Sequence, residues 1–387
     1  MRTDYKVLGN YIRLIDKRNR DLSITNLLGV SIEKRFIPSI ANIIGTDLSS
    51  YKVVRTGQFA YGPVTSRNGE KISIAYLDGE DCIISSSYTV FEVVDKDALD
   101  PEYLMLWFSR PEFDRYARYK SHGSVREIFD WDELCMVELP ILDIEEQRNV
   151  VKAYKTITDR IDLKKQINDN LLTQAQTYFS SVFAGKDTES TLPEGWEFAR
   201  VGDYCIDNVG NLSKSDTFDT ILYLDTGSIT DNYILELQEL NLATDEIPSR
   251  AKRKAMHGDI IYSTVRPNLR HYGLLQNPPS NLIVSTGFAV LHNKGLAVSN
   301  EFLFMWLTTD SILEYLQAIA ENSVSTYPSL NVSDLLNVKI IVPDNTTLAN
   351  INRFLTSIFS SISENNKQIK MLTSSMSTLL PKLLSGR

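Results

Sequence analysis

Two long rows of apolar residues dominate the pattern of hydrophobic and polar positions. Ile351, Leu355, Ile358, Ile362, Asn365, Ile369, Leu372, Met376, Leu379 and Leu383 recur at alternating steps of four and three, and only Asn365 is polar. That spacing is the a/d seam of a helix made to pack lengthwise against another. Subtracting 201 from each gives Val150, Tyr154, Ile157, Ile161, Lys164, Asn168, Leu171, Ala175, Tyr178 and Val182, a second row broken only at Lys164 and Asn168. Two long helices are predicted. A strand ending in Pro140 or Pro343 precedes each, Asp143 with Glu146 forms a candidate capping box, and Gly185 and Gly386 suit the stops. Pro381 is expected to kink or end the second helix, because it lacks an amide donor.

Pairing the seams antiparallel joins Val150 to Leu383, Val182 to Ile351 and Asn168 to Asn365. The two amides then satisfy each other. A parallel pairing sets Asn168 against Ile369 and leaves an amide without a partner, at a cost of about 1–3 kcal/mol. An antiparallel coiled coil is therefore expected, since helices packed only on their own domains would leave a long seam uncovered.

The copying extends beyond the helices. Cys82–Phe91 (CIISSSYTVF) lies on Leu282–Leu291 (LIVSTGFAVL) as buried strand, and Glu102–Ser109 (EYLMLWFS) on Glu301–Thr308 (EFLFMWLT) with Trp107 over Trp306. Gly123-Ser124-Val125 matches Asn322-Ser323-Val324, and Val137–Pro140 matches Ile340–Pro343. Four segments in order at offsets of 199 to 203 mark two copied domains, not a solenoid. Alternating runs at Ile72–Tyr76, Ile221–Leu224 and Asp259–Thr264 read as strands, and Pro101–Tyr119 and Asn300–Ala320 as helices. An α+β class follows: two duplicated mixed α/β domains over 1–142 and 187–345, each followed by a long helix, 143–186 and 346–387.

Composition narrows the function. At 43% hydrophobic and 23% charged over 387 residues, the chain is a globular protein of two or three units. Its three cysteines form no CxxC pair, and its start reads as neither membrane span nor signal peptide, so a soluble protein of a reducing cytoplasm is expected. No GxxxxGK[ST] loop, HExxH or GxSxG is present. The four histidines, His122, His257, His271 and His292, lack metal-ligand spacing, so no metal site is expected. Asn277-Pro278-Pro279-Ser280 lacks the aromatic residue of the base-holding element of adenine methyltransferases and reads as a surface loop.

Charge is more informative locally than overall. The net charge of −9 excludes binding of nucleic acid by bulk positive charge. Yet Arg250, Lys252, Arg253, Lys254, Arg266 and Arg270 crowd one segment of the second half, interleaved with Tyr262 and Tyr272, and Arg110, Arg115, Arg118, Lys120 and Arg126 crowd one of the first. Such clusters can bind phosphates and read base edges in a groove, whereas a charge run without such a role is a solvated face.

Two variable globular domains, each followed by a helix with a copied seam, resemble the DNA-specificity subunit of type I restriction-modification enzymes. Leu192–Asp203 (LPEGWEFARVGD), Gly258–Pro267 (GDIIYSTVRP), Ile283–Val290, Leu139-Pro140 followed by Glu146-Gln147-Arg148, and Leu380–Gly386 resemble that family's strings. Asn350 stands where Gln147 has its match, a departure.

The resemblance implies a non-catalytic subunit whose two target-recognition domains each read one half of a bipartite, asymmetric double-stranded DNA site. Its helices would dock two methyltransferase subunits carrying S-adenosylmethionine, with ATP and Mg on possible restriction subunits. Residues 150–182 would span about 50 Å at 1.5 Å each, on the order of 15 base pairs. The expected DNA contacts are Arg55, Arg67, Lys120 and Arg126 in the first domain and Lys252, Arg253, Lys254, Arg266 and Arg270 in the second. The expected centre of the seam is Ile157, Ile161, Asn168 and Leu171 against Ile358, Ile362, Asn365, Ile369 and Leu372. The alternative from another class is a duplicated coiled-coil scaffold that binds proteins and no DNA.

Overall fold

A computed structural model of the chain describes residues 5–39, 45–66, 69, 71–123, 126–186, 188–213, 215–323 and 327–383, with side chains as far as 379. It divides into two compact units, Met1–Asp162 with Lys370–Arg387, and Leu163–Ile369. Both long helices cross that division.

In the first unit an antiparallel sheet runs in the order Ile12–Ile15, Thr89–Val93, Phe59–Tyr61, Ile74–Tyr76. Phe59–Tyr61 is buried throughout, so it needs apolar residues on both faces. Alternation sends Phe59 and Tyr61 into one cluster with Phe91, Phe108 and Phe129, and Ala60 into another with Val54, Cys82 and Ile84. Helices α1 (Pro101–Phe108), α2 (Pro111–Lys120) and α3 (Trp131–Cys135) contribute Phe108, Phe113 and Leu134 to the aromatic side. Asp100 starts α1 by accepting from the amides of Glu102 and Tyr103, at 2.9 and 3.1 Å.

The helix expected over 101–119 is thus two helices. Pro111 disfavours helical backbone at the residue before it, and Arg110 is extended at φ −76°, ψ 140°. Helix α4 (Ile144–Phe183) begins in this unit behind Asp143, which accepts from the Glu145 amide at 3.0 Å.

The second unit repeats the plan. Its antiparallel sheet runs Cys205–Asp207, Phe288–Asn293, Ile260–Ser263, Tyr272–Leu274. A second sheet of four runs Gln238–Asn241, Thr220–Leu224, Leu282–Ser285, Ala251–Lys254, with its central pair parallel. The strings laid together as single strands, 82–91 and 282–291, are each two strands around a turn. Helices α5 (Val201–Tyr204), α6 (Asn300–Leu307), α7 (Asp310–Glu321) and α8 (Val332–Leu336) precede α9 (Asn345–Leu383), which runs past Pro381 to Leu383. The helix expected over 300–320 is also divided: Thr309 is extended, and the hydroxyls of Thr308 and Thr309 donate to the α6 carbonyls of Phe304 and Trp306 at 2.8 and 3.0 Å.

The end of α4 and the start of α9 pack in this unit's core, with Ala175, Phe179, Ile351, Leu355, Ile358 and Ile362 all buried. Phe179 meets Phe302 and Trp306 at 5.3 and 5.8 Å. The two segments run antiparallel, since Tyr178 meets Phe354 at 4.5 Å while Asn168 meets Asn365. Asn365 donates to Asn168 Oδ1 at 2.9 Å and accepts from Lys164 Nζ at 3.1 Å, so the polar residues of the two rows bond to one another.

Gln147 shows how the duplication is conserved in function where the alignment slips. Fully buried, it donates to the carbonyls of Leu142 and Ala98 at 2.8 and 3.1 Å and accepts from the Asp100 amide at 2.9 Å, tying α4 to the cap of α1. In the second unit Asn352, not Asn350, donates to Ala297 at 2.8 Å and accepts from the amide of Ser299, which caps α6.

Candidate nucleic-acid interface

In the second unit four chain segments converge beyond the end of the Ile260–Ser263 strand. The turn at 286–287 receives Thr264 on one side, whose amide donates to the Gly287 carbonyl at 2.9 Å, and on the other donates from the Thr286 amide to Arg250 at 2.9 Å. The loop 264–271 is bound to the segment 328–330 through Arg266 N to Pro328 O at 3.0 Å and Leu330 N to Thr264 O at 2.7 Å. It is bound to the Ile229–Ile234 hairpin through Asp231 N to Arg270 O at 2.9 Å and His271 Nδ1 with Ile229 O at 2.6 Å. Asp231 and Asn232 turn that hairpin with positive φ, 46° and 66°, as a two-residue turn requires. The cluster leaves Tyr233, Leu235, Leu269 and Tyr327 exposed.

The sequence-chosen basic residues fare differently here. Lys252 is exposed on an edge strand. Arg253 turns inward at a bulge, donates to the Phe288 carbonyl and has its guanidinium pKa lowered by burial. Lys254 lies 2.5 Å from Asp216 and, by donating to it, holds that carboxyl below its usual range. Arg270 pairs with Asp310 at 2.8 Å and with Asp231 at 3.7 Å, which raises its own pKa. Arg266 is exposed, and its guanidinium sits over the Tyr327 ring at 5.0 Å. The segment's positive charge is therefore partly spent within the fold.

In the first unit the segments 63–65 and 127–129 are zipped in the same way, with Thr65 N to Glu127 O at 3.0 Å and Phe129 N to Pro63 O at 2.8 Å. Lys120, whose pKa is raised by Glu133 at 3.3 Å, and the exposed Arg126 flank this zipper. Arg118 pairs with Glu127. Arg55 is exposed before the other end of the strand Phe59–Tyr61, away from both, and Arg67 lies outside the described residues.

Among the described residues no three His, Cys, Asp or Glu side chains gather as metal ligands, and the three cysteines are free. His292 is engaged by buried Asp259 at 2.7 Å, with Asp259 also accepting from the Met256 amide at 2.8 Å. The first unit has the same strut in other residues: Gln58 accepts from the Arg55 amide at 2.8 Å and donates to Glu92 at 2.7 Å. Each strut follows a glycine of positive φ, Gly57 at 91° and Gly258 at 86°. Recurrence of the strut with different chemistry marks it as structural.

Residues 193–373 match the family model of the type I restriction modification DNA specificity domain. The first unit repeats the strand order of the matched part. Over that matched segment the chain is similar to type I restriction-modification specificity subunits. It is 29% identical over 174 residues to the type I restriction enzyme HindI specificity subunit of Haemophilus influenzae, an alignment covering 45% of this chain and 37% of that protein. Against the MjaIX specificity subunit of Methanocaldococcus jannaschii it is 23% identical over 314 residues, 76% of this chain and 70% of the relative. The crystal structure of the type I restriction-modification S subunit from M. genitalium shares the fold at a TM-score of 0.57 and 13% identity, over 98% of this chain and 95% of that one. Among the described residues no helix is long and apolar enough to cross a membrane. Sequence reasoning missed Tyr327 and the hairpin 229–235, which come to the basic loop only through the tertiary fold.

Proposed function

We propose that this chain is a specificity subunit, the DNA-reading component of a type I restriction-modification complex. Its two target-recognition domains, 1–142 and 187–345, each read one half of a bipartite, asymmetric site. The helical regions 143–186 and 346–387 pair as an antiparallel coiled coil, with Ile157, Ile161 and Leu171 against Ile358, Ile362, Ile369 and Leu372, and dock two methyltransferase subunits. The chain performs no chemistry and acts in the cytoplasm. S-adenosylmethionine, ATP and Mg belong to its partners.

One observation carries this reading: a single fold occurs twice in one chain with the same strand order, while the loops at the corresponding ends differ in sequence. Copied scaffolds with different tips suit two different half-sites. Direct readout needs only a few side chains at such a tip, with phosphate contacts supplied by lysines and arginines around it. The acidic total of the chain is compatible with this, because the exposed Arg126, Lys252 and Arg266 are local.

The test is mapping of methylated adenine in the genome of cells that express the chain with a type I methyltransferase, compared with cells lacking the chain. A bipartite motif present only with the chain is expected. Identical methylation in both, with both proteins soluble, would refute the proposal.

A further inference from the structure

The loop 264–271 is fixed by backbone bonds and by the side chains of Thr264, Arg270 and His271. Besides the bonds to Gly287, Pro328 and Leu330, Leu269 N donates to Arg266 O at 2.9 Å, Arg270 N to Pro267 O at 2.9 Å, and Asn268 N to Gln317 Oε1 at 3.1 Å. Two arginines in it hold left-handed backbone, Arg266 at φ 50° and Arg270 at φ 55°. A side chain with a Cβ resists that conformation, which persists only where the surroundings enforce it, often at functional positions.

The two arginines then part in role. Arg270 is taken up by Asp310 and Asp231 and closes the loop onto α7 and the hairpin. Arg266 has no acidic partner among the described residues and lies on the ring of Tyr327, itself 58% exposed. A guanidinium resting on an aromatic face is held in orientation while its N–H edge stays available. A phosphate contact needs charge and little orientation, and a mobile lysine would serve it. Backbone strain and a ring clamp on one arginine fit a target that demands a fixed plane. Among base edges, guanine presents two acceptors, N7 and O6, spaced for such a fork.

We propose that Arg266, clamped by Tyr327, reads a guanine in the half-site of the second domain. The inference rests on the DNA-reading function proposed above.

Methylated motifs are mapped for the wild-type chain, Arg266→Ala, Arg266→Lys, Tyr327→Phe and Tyr327→Ala, each in the assembled complex with the methyltransferase. The wild-type motif should contain a G·C pair whose preference over other pairs falls about tenfold or more in both Arg266 variants, at that position alone. The other half-site serves as the internal control and should be unchanged. Tyr327→Phe should keep the preference, and Tyr327→Ala should weaken it. The lysine variant keeps the charge and bears on the question even if the alanine variant is unstable. An unchanged base preference in Arg266→Lys overturns the inference, as does methylation reduced equally at every site, the mark of a phosphate contact. Absence of any chain-dependent motif in the wild type would instead refute the DNA-reading function itself.

Discussion

Replacing Gln147 by leucine, and Asn352 by leucine in parallel, tests whether the two units are built on the same internal tie. Gln147 is fully buried and makes three hydrogen bonds, at 2.8, 2.9 and 3.1 Å, to Leu142, Asp100 and Ala98. Leucine removes all three and leaves two carbonyls and one amide unpartnered. At roughly 1 kcal/mol per bond, with unsatisfied buried groups costing more, the loss is about 3 kcal/mol. For a unit of this size about 2–4 °C of melting temperature accompanies each kcal/mol, so the transition of the first unit should fall by roughly 6–12 °C. Asn352 is only half-buried and makes one good bond at 2.8 Å and one long one at 3.4 Å. Its leucine variant should lose about 1 kcal/mol, from the second unit's transition. Thermal melting of the full chain by calorimetry measures both. Equal losses in the two variants, or a Gln147→Leu shift below about 2 °C, would refute the assignment of this tie.

Other substitutions probe separate parts of the fold. Phe179→Ala removes a side chain 2% exposed against Phe302 and Trp306, and should cost about 3–5 kcal/mol in denaturant unfolding of the second unit; a cost below 1 kcal/mol would show that α4 does not complete that core. Asn365→Ala strips Asn168 and Lys164 of one partner each at a half-buried site, and should lower stability by about 1 kcal/mol, with Asn365→Asp milder because it still accepts from Lys164; the reverse order would contradict the network. Burial raises the Asp259 carboxyl, so the native state holds this proton more tightly than the unfolded chain. Its contribution to stability is full below the ordinary carboxylate range, about pH 3.9, and is lost as pH rises through the raised native value. The melting temperature of Asp259→Asn relative to wild type should therefore climb as pH is raised from 4 to 6, and a flat difference would remove the cause assigned here.

The duplication and the two long helices were legible in the sequence because both are periodic. A 4-3-4-3 row survives substitution of one apolar residue for another, and a copied row at an offset of 201 is read without any tertiary knowledge. The mixed α+β class was legible for the same reason, through runs such as Asp259–Thr264. Breaks in the shorter helices were not read, although Pro111 signalled one; the other depends on hydroxyls of Thr308 and Thr309 that satisfy the helix end.

The pairing of the basic residues was not legible, because charge along a chain carries no information about partners. Asp216 reaches Lys254 from 38 residues away and Asp310 reaches Arg270 from 40. The fold thereby neutralises two of the six basic residues of that cluster. Tyr327 meets Arg266 across 61 positions by the closing of two loops, which no local spacing encodes. Asn352 took the role of Gln147 two residues away from the aligned Asn350, since a hydrogen-bonding role tolerates a shift that an identity match does not.

The central claim is that each copied domain reads its own half of one site, and domain exchange tests it most directly. Residues 187–345 are replaced by the corresponding domain of another specificity subunit of known motif, and methylated adenines are mapped in cells expressing the hybrid with the methyltransferase. The account predicts a motif in which one half is replaced by the donor's and the other half is kept. A hybrid that remains soluble and active but alters both halves, or neither, would contradict it.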